Sequence, residues 1–296
     1  MHPIHLNLGF TVIPFYEGFY FLVSILVASW LAARQLRKAG LDTGPFLNNL
    51  SWILVGAILG ARISHYLFWE LDSILKAPLG FLRFWEGGLS ITGGLAGGFL
   101  VAFVCFRHAN VDFWHYFAIT SPSVLLGQAI GRVGCFLNGD AWGTPTGLPW
   151  GIPLPKFGNL VPNWVADYRE TSEAWKWCVE KGYTSPESIQ TIPLHPTQLY
   201  ESLGDLILAS LIILHLRPMN KRRLQGSWPT VFWLYLGGYS WLRFGLEFLH
   251  GDRNVAVLAG MTALQIALLI TGSISVVRYS KVMLGKTTIH PNSALS

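Results

Sequence analysis

Seven stretches of this chain are both apolar enough and long enough to demand a hydrocarbon surrounding, and they decide the class of fold before any motif is read. A bilayer is crossed by about 20 residues of helix. The stretches lie at 15–33, 49–69, 88–106, 113–137, 196–216, 228–249 and 255–277. Charged residues make up only 12 % of the 296 residues, against about 25 % in soluble domains. We therefore expect an all-α polytopic membrane protein with seven transmembrane helices. The net charge of +5 invites a nucleic-acid reading, but the basic residues sit in short clusters beside apolar runs, where they set topology instead. No nucleic-acid partner is expected. Cys105, Cys135 and Cys178 lack the paired spacing of a zinc or redox site, so no metal, cofactor or structural disulfide is expected. The N-terminus lacks the basic segment and small-residue cleavage site of a removable signal peptide.

Charge placement supplies an orientation. With the N-terminus outside, the cytoplasmic connections hold Arg34, Arg37 and Lys38, then Arg107, then Arg217, Lys221, Arg222 and Arg223, then Arg278, Lys281 and Lys286. The short outer connections hold only Lys76, Arg83 and Arg253. Cytoplasmic loops carry the excess of Lys and Arg, so the N-terminus is expected outside and the C-terminus in the cytoplasm. The Pro- and Trp-bearing stretch 139–193 is too hydrophilic to span and becomes a periplasmic head segment between helices 4 and 5. One transmembrane domain is expected over 1–280, with the head inserted, followed by a polar cytoplasmic tail over 281–296.

In that topology the polar residues of the spans gather in the outer leaflet. Arg132, Asn138 and Asp140 end the fourth span, His195 opens the fifth, Tyr239, Arg243 and Glu247 end the sixth, and Arg62 lies late in the second. An arginine at membrane depth costs several kcal/mol and marks a functional site by default. Arg243 and Glu247 stand at i,i+4 and can pair, which leaves a surplus of positive charge suited to a buried phosphate. In an outer leaflet that phosphate is a phospholipid headgroup, and the same guanidinium groups would stabilise it as a leaving group. Other roles stay open. Glycines in spans also serve packing, His195 before Pro196 suits a helix start, Tyr239 suits an interface anchor, and a buried Cys135 acts as a small hydrophobe. An anion transporter would need polar residues continuing into the inner halves of the spans, and those halves are apolar.

Gly131-Arg132-Val133-Gly134-Cys135-Phe136-Leu137-Asn138-Gly139-Asp140-Ala141-Trp142-Gly143 resembles the signature of the bacterial prolipoprotein diacylglyceryl transferases. So do Gly87-Gly88-Leu89-Ser90 with Gly93-Gly94, His195-Pro196-Thr197-Gln198-Leu199-Tyr200-Glu201, Gly60-Ala61-Arg62, and Arg243 with Glu247. The resemblance implies an inner-membrane enzyme that moves the diacylglyceryl group of phosphatidylglycerol onto the lipobox cysteine of a prolipoprotein, releasing glycerol phosphate. It implies that Arg132 and Arg243 hold the headgroup, and that Asn138, Asp140 and Glu247 orient hydroxyls or those arginines. Arg62, Gly93 and Gly94 join the lipid site, and Tyr239 neighbours the reacting centre. The sequence departs from the family at Thr92, where a histidine often stands: either another group, such as His195 or Glu17, takes the thiol proton, or the histidine is dispensable, or activity is lost or changed. A catalytically silent relative that binds anionic lipid or lipoprotein precursors is the alternative.

Overall fold

The computed structural model describes residues 4–7, 12–69, 90–157, 159–161, 171–216, 228–251 and 256–287. Gly87, Gly88, Leu89, Lys76, Arg83, Arg253, the 217–223 basic cluster, the end of the tail and the side chain of Glu17 lie outside the described residues. Helices occupy all seven apolar stretches. They are α1 (Phe15–Ala39), α2 (Gly44–Trp69), α3 (Ile91–His108), α4 (Phe113–Asn138), α6 (Thr197–Leu216), α7 (Trp228–Glu247) and α8 (Ala263–Thr287), with a short α5 (Glu173–Glu180) between α4 and α6. Three short strands accompany them: β1 (Ile4–Asn7), β2 (Val12–Pro14) and β3 (Asn159–Val161). β1 and β3 pair in parallel, Ile4 opposite Asn159. Segments in α1, α2, α6 and α8 are long and apolar enough to cross a membrane. The chain is thus a multi-pass membrane protein.

The chain divides into two compact units: Met1–Leu6, Pro14–Leu31 and Thr120–Ser296 form one, and Asn7–Ile13 with Ala32–Ile119 form the other. In the second unit α2 and α3 pack closely through small residues. A side chain at Gly60 would strike the Gly93 carbonyl and come within 2.8 Å of Gly97 Cα. One at Gly97 would strike the Gly56 carbonyl and lie 2.9 Å from Gly60 Cα. Bare backbone on both helices lets dispersion contacts replace the hydrophobic drive that lipid does not supply. Elsewhere in this unit Leu36, Phe106, Phe113, Tyr116 and Ile119 form a buried cluster.

The first unit packs α7 against both α6 and α8. Gly204 on α6 receives Leu242 of α7, and Gly238 on α7 receives Leu208 of α6. The amphipathicity of α6 is reversed from that of a soluble helix. Its buried face begins Thr197, Gln198, Glu201, Ser202, Asp205 before turning apolar at Leu208, Ala209 and Ile212. Its outer face exposes Leu203, Leu206, Ile207, Leu211 and Leu214. Such a helix is stable only with its apolar side in lipid.

Helix ends differ from the apolar runs where backbone chemistry intervenes. α1 continues through Arg37 and Lys38, both good helix formers, and stops at Gly40 (φ 75°). There the Leu41 N–H donates to Leu36 O and the Gly40 N–H to Arg37 O, each at 3.0 Å, the pattern of a left-handed C-cap. The last helix starts at Ala263 rather than near 255, because Ala259 (φ 49°) and Gly260 (φ 73°) make a tight turn first. Thr262 and Gln265 then cap α8 reciprocally, at 2.9 and 3.1 Å, a capping box. The stretch after α4 folds on its own small core of Leu154, Ala174, Cys178 and Leu194, flanked by Trp142, Trp177 and Ile192. Burial pushes the Cys178 thiol up and a hydrogen bond with Thr184 offsets part of that, leaving a packing residue.

Candidate active site at the α4, α6 and α7 junction

The signature glycines first make a turn. At the end of α4 the Asp140 N–H donates to Cys135 O at 3.1 Å and the Gly139 N–H to Phe136 O at 3.3 Å. Gly139 (φ 84°) and Ala141 (φ 53°) both take left-handed backbone, and Gly139 does so without steric cost. The chain then runs as a short extended link. Thr144 N–H donates to Leu249 O at 2.7 Å, His195 N–H to Thr144 O at 3.0 Å, and Gly251 N–H to Trp142 O at 2.9 Å. A side chain at Gly143 would come within 2.6 Å of His195 Cβ, so only glycine lets these backbones meet. One link therefore ties the end of α4 to the start of α6 and the end of α7.

That junction buries an ionic cluster. Glu201 of α6 forms an ion pair with Arg132 Nε of α4 through one carboxylate oxygen, which accepts no hydrogen bond, and accepts from Arg243 Nη1 of α7 on the other. Arg243 Nη2 also meets Glu247 Oε2 at 2.8 Å, the i,i+4 pair read from the sequence. His250 Nε2 accepts from Arg243 Nη1 at 2.8 Å and lies 3.7 Å from Glu201 Oε1. Glu201 and Glu247 side chains are 5 % and 4 % exposed, so these charges attract each other with little screening from water.

This corrects the expectation of surplus positive charge. Glu201 is the acid that Arg132 and Arg243 share. Two guanidinium groups face two carboxylates, Glu201 and Glu247. What remains is hydrogen-bonding capacity. Arg132 is held at Nε, and its terminal nitrogens have no partner among the described residues. Both terminal nitrogens of Arg243 are occupied, Nη1 by Glu201 and His250, Nη2 by Glu247. Arg132 thus presents an open fork and Arg243 a closed one. An open guanidinium fork matches two oxygens of a phosphate.

The other sequence candidates fall around this cluster or outside it. Tyr239, one turn before Arg243, lies within electrostatic reach of Glu201, Arg132, Arg243 and Asp205. Asn138 Nδ2 donates to Asp140 Oδ2, Gln198 Nε2 donates to the Asp140 carbonyl, and Asn138 Oδ1 and Gln198 Oε1 are buried without a hydrogen bond. His195 is half-buried and its Nδ1 lies 3.3 Å from Tyr200 Oη, which accepts from Trp150 Nε1 at 2.7 Å. Burial holds the His195 ring below the usual histidine range. Among the described residues the ring makes no hydrogen bond or ion pair with the arginine cluster. Arg62, Gly93, Gly94 and Thr92 belong to the other unit. There Arg62 is buried with Nη2 3.2 Å from Tyr66 Oη, Gly93 packs on α2, and the Thr92 hydroxyl is 2.9 Å from that of Ser90.

The sequence reading missed two acids. Glu201 was quoted only as part of a motif, and Asp205 was not singled out. The available signal was the run Thr197, Gln198, Glu201, Ser202, Asp205, polar positions at helical spacing inside an apolar stretch. That pattern marks an inward polar face.

Known proteins supply an independent line of support. The profile of the prolipoprotein diacylglyceryl transferase family matches residues 3–279. A phosphatidylglycerol–prolipoprotein diacylglyceryl transferase of Nostoc sp. is 31 % identical over 275 residues, covering 90 % of this chain and 87 % of the relative. One of Synechocystis sp. is 32 % identical over 254 residues, covering 84 % and 79 %, and one of Pseudoalteromonas atlantica is 30 % identical over 267, covering 90 % and 81 %. With a match over nearly its whole length and the signature arginine seated in a buried polar cluster, this chain belongs to the prolipoprotein diacylglyceryl transferase family.

Proposed function

We propose that the chain transfers the diacylglyceryl group of phosphatidylglycerol to the lipobox cysteine thiol of a prolipoprotein, releasing glycerol 1-phosphate. The carrying observation is the open fork of Arg132, gripped from behind by Glu201. The thiolate sulfur attacks the glyceryl carbon, a C–S bond forms, and the C–O bond to phosphate breaks with its electron pair left on oxygen. Arg132 binds the phosphate throughout and stabilises the charge that grows on the departing oxygen. Arg243 holds Glu201 and Glu247 in place and adds positive potential. Asn138 and Gln198 offer buried acceptor oxygens for headgroup hydroxyls, with Asp140 locking both side chains. Tyr239 borders the reacting centre. Arg62, Gly93 and Gly94 contribute to lipid binding.

The topology that suits this reaction has seven spans, the N-terminus outside, and the C-terminus in the cytoplasm of a bacterial inner membrane. The transmembrane catalytic domain covers 1–280, the periplasmic head 139–193, and the tail 281–296. The test incubates membranes carrying the full chain with phosphatidylglycerol and a lipobox peptide. Glycerol phosphate and a thioether-linked diacylglyceryl peptide should appear together. Retention of phosphatidylglycerol without either product would replace this reading with that of a silent lipid-binding relative, which the hydroxyl at Thr92 favours because it is a poor base at neutral pH.

A further inference from the structure

The transfer reaction needs a base for the thiol, and among the described residues each carboxylate assigned above, and His195, already has a partner. Glu201 is shared between Arg132 and Arg243, and Glu247 is paired with Arg243. Asp140 is exposed and bonded to Asn138. His195 bonds Tyr200, away from the arginines. Asp205 differs from these acids in making no ion pair with any described residue. It is 2 % exposed, and its Oδ1, like Glu201 Oε2 and Glu247 Oε2, is buried without a hydrogen bond. An unpartnered acid inside an apolar helix costs several kcal/mol, and such residues are kept for function by default.

Its position suits proton transfer. Asp205 follows Glu201 at i+4 on the buried face of α6, about 6 Å further along the helix. Arg132, Glu201, Tyr235 and Tyr239 are its charged and titratable neighbours. In an in-line displacement the attacking sulfur stands on the far side of the carbon from the leaving phosphate. Asp205 stands one turn from the Glu201 that pairs with Arg132, on the same buried polar face of α6.

We propose that Asp205 is the base that deprotonates the substrate thiol, an assignment that rests on the transfer reaction proposed above. The Asp205 carboxylate takes the S–H proton. The sulfur electron pair forms the C–S bond, and the C–O bond breaks onto the phosphate oxygen held by Arg132. The proton then passes from Asp205 to the departing phosphate or to water, and the acid is regenerated as a carboxylate.

The test uses the full chain in vesicles containing phosphatidylglycerol and two lipobox peptides, one with cysteine and one with selenocysteine, whose selenol is already ionised at neutral pH. Asp205→Asn should slow transfer to the cysteine peptide by about 10²–10⁴-fold, the usual contribution of a general base. It should leave the KM for phosphatidylglycerol within about threefold, as expected for a group acting on the chemical step. With the selenocysteine peptide the defect should shrink to less than about tenfold, since the proton transfer is no longer needed. Asp205→Glu, which keeps a carboxylate, should retain most of the thiol activity. The midpoint of thermal unfolding should hold or rise in Asp205→Asn, because an unpaired buried charge has been removed. An equal defect with both peptides, or loss of folded protein, would make Asp205 a structural acid and overturn the proposal. Selenol rescue of His195→Gln but not of Asp205→Asn would give the role to His195. Activity of the wild type with an unimpaired Asp205→Asn would defeat this assignment alone, whereas no product from the wild type with either peptide would defeat the transfer reaction itself.

Discussion

Glu201 grips Arg132 through Nε and leaves its terminal nitrogens without a partner among the described residues. Pairing at Nε leaves open the edge that recognises phosphate. Arg243, on the other carboxylate oxygen, is closed by Glu247 and His250. The two arginines therefore have different tasks.

Arg132→Ala should lower diacylglyceryl transfer by at least about 10²–10³-fold, the scale for losing one preorganised charge-stabilising donor. Arg132→Lys should fall between Ala and the wild type, because a point charge replaces the planar fork. Initial rates on a lipobox peptide check this, and an Ala variant as fast as the wild type would remove Arg132 from the site.

Glu201→Gln should destabilise the protein by about 3–5 kcal/mol, the cost of leaving buried charges without their partner. Thermal unfolding in detergent measures it. A shift equivalent to less than about 1 kcal/mol would mean that the bridge behaves like an exposed ion pair.

Space around the backbone predicts opposite outcomes for Gly60 in the α2–α3 contact and Gly245 on α7. Gly60→Leu would force side-chain atoms into the Gly93 carbonyl and Gly97, and overpacking of this kind costs about 1–3 kcal/mol or more. Gly245→Ala, with nothing within 4 Å of the added carbon, should stabilise α7 by about 0.4–1 kcal/mol. Side-by-side unfolding midpoints decide the matter, and equal effects would refute the packing account.

His195 gives a pH signature. Its ring titrates below the ordinary 6.5 because burial disfavours the charged form. Between the depressed folded value and 6.5 the unfolded chain holds more protons, so stability rises as pH increases through that window and is lost as pH falls through it. His195→Gln should flatten this slope. An unchanged profile of unfolding midpoint against pH would show that the ring is not the source.

The helices and the family were legible because apolar runs and contiguous motifs are local properties. The Arg243–Glu247 pair was legible because i,i+4 spacing is fixed by helix geometry. The partner of Arg132 was not, since Glu201 reaches it only when α4, α6 and α7 are brought to one junction through Gly143. The start of the last helix was misplaced by reading hydropathy alone. Ala259 and Gly260 turn the chain first, and the Thr262–Gln265 cap was the overlooked local signal.

The inverted α6 bears on how the protein is made. An acidic side chain near the middle of a helix adds about 2.5–3.5 kcal/mol to its entry into the bilayer, and α6 carries Asp205 there with Glu201 one turn nearer its start. During synthesis α4 emerges first and brings Arg132, whereas Arg243 on α7 follows only later. The nascent α6 thus follows one guanidinium along the chain and precedes the other. Order of translation becomes part of site assembly, and a lesion in α4 would be felt as faulty insertion of a helix synthesised after it.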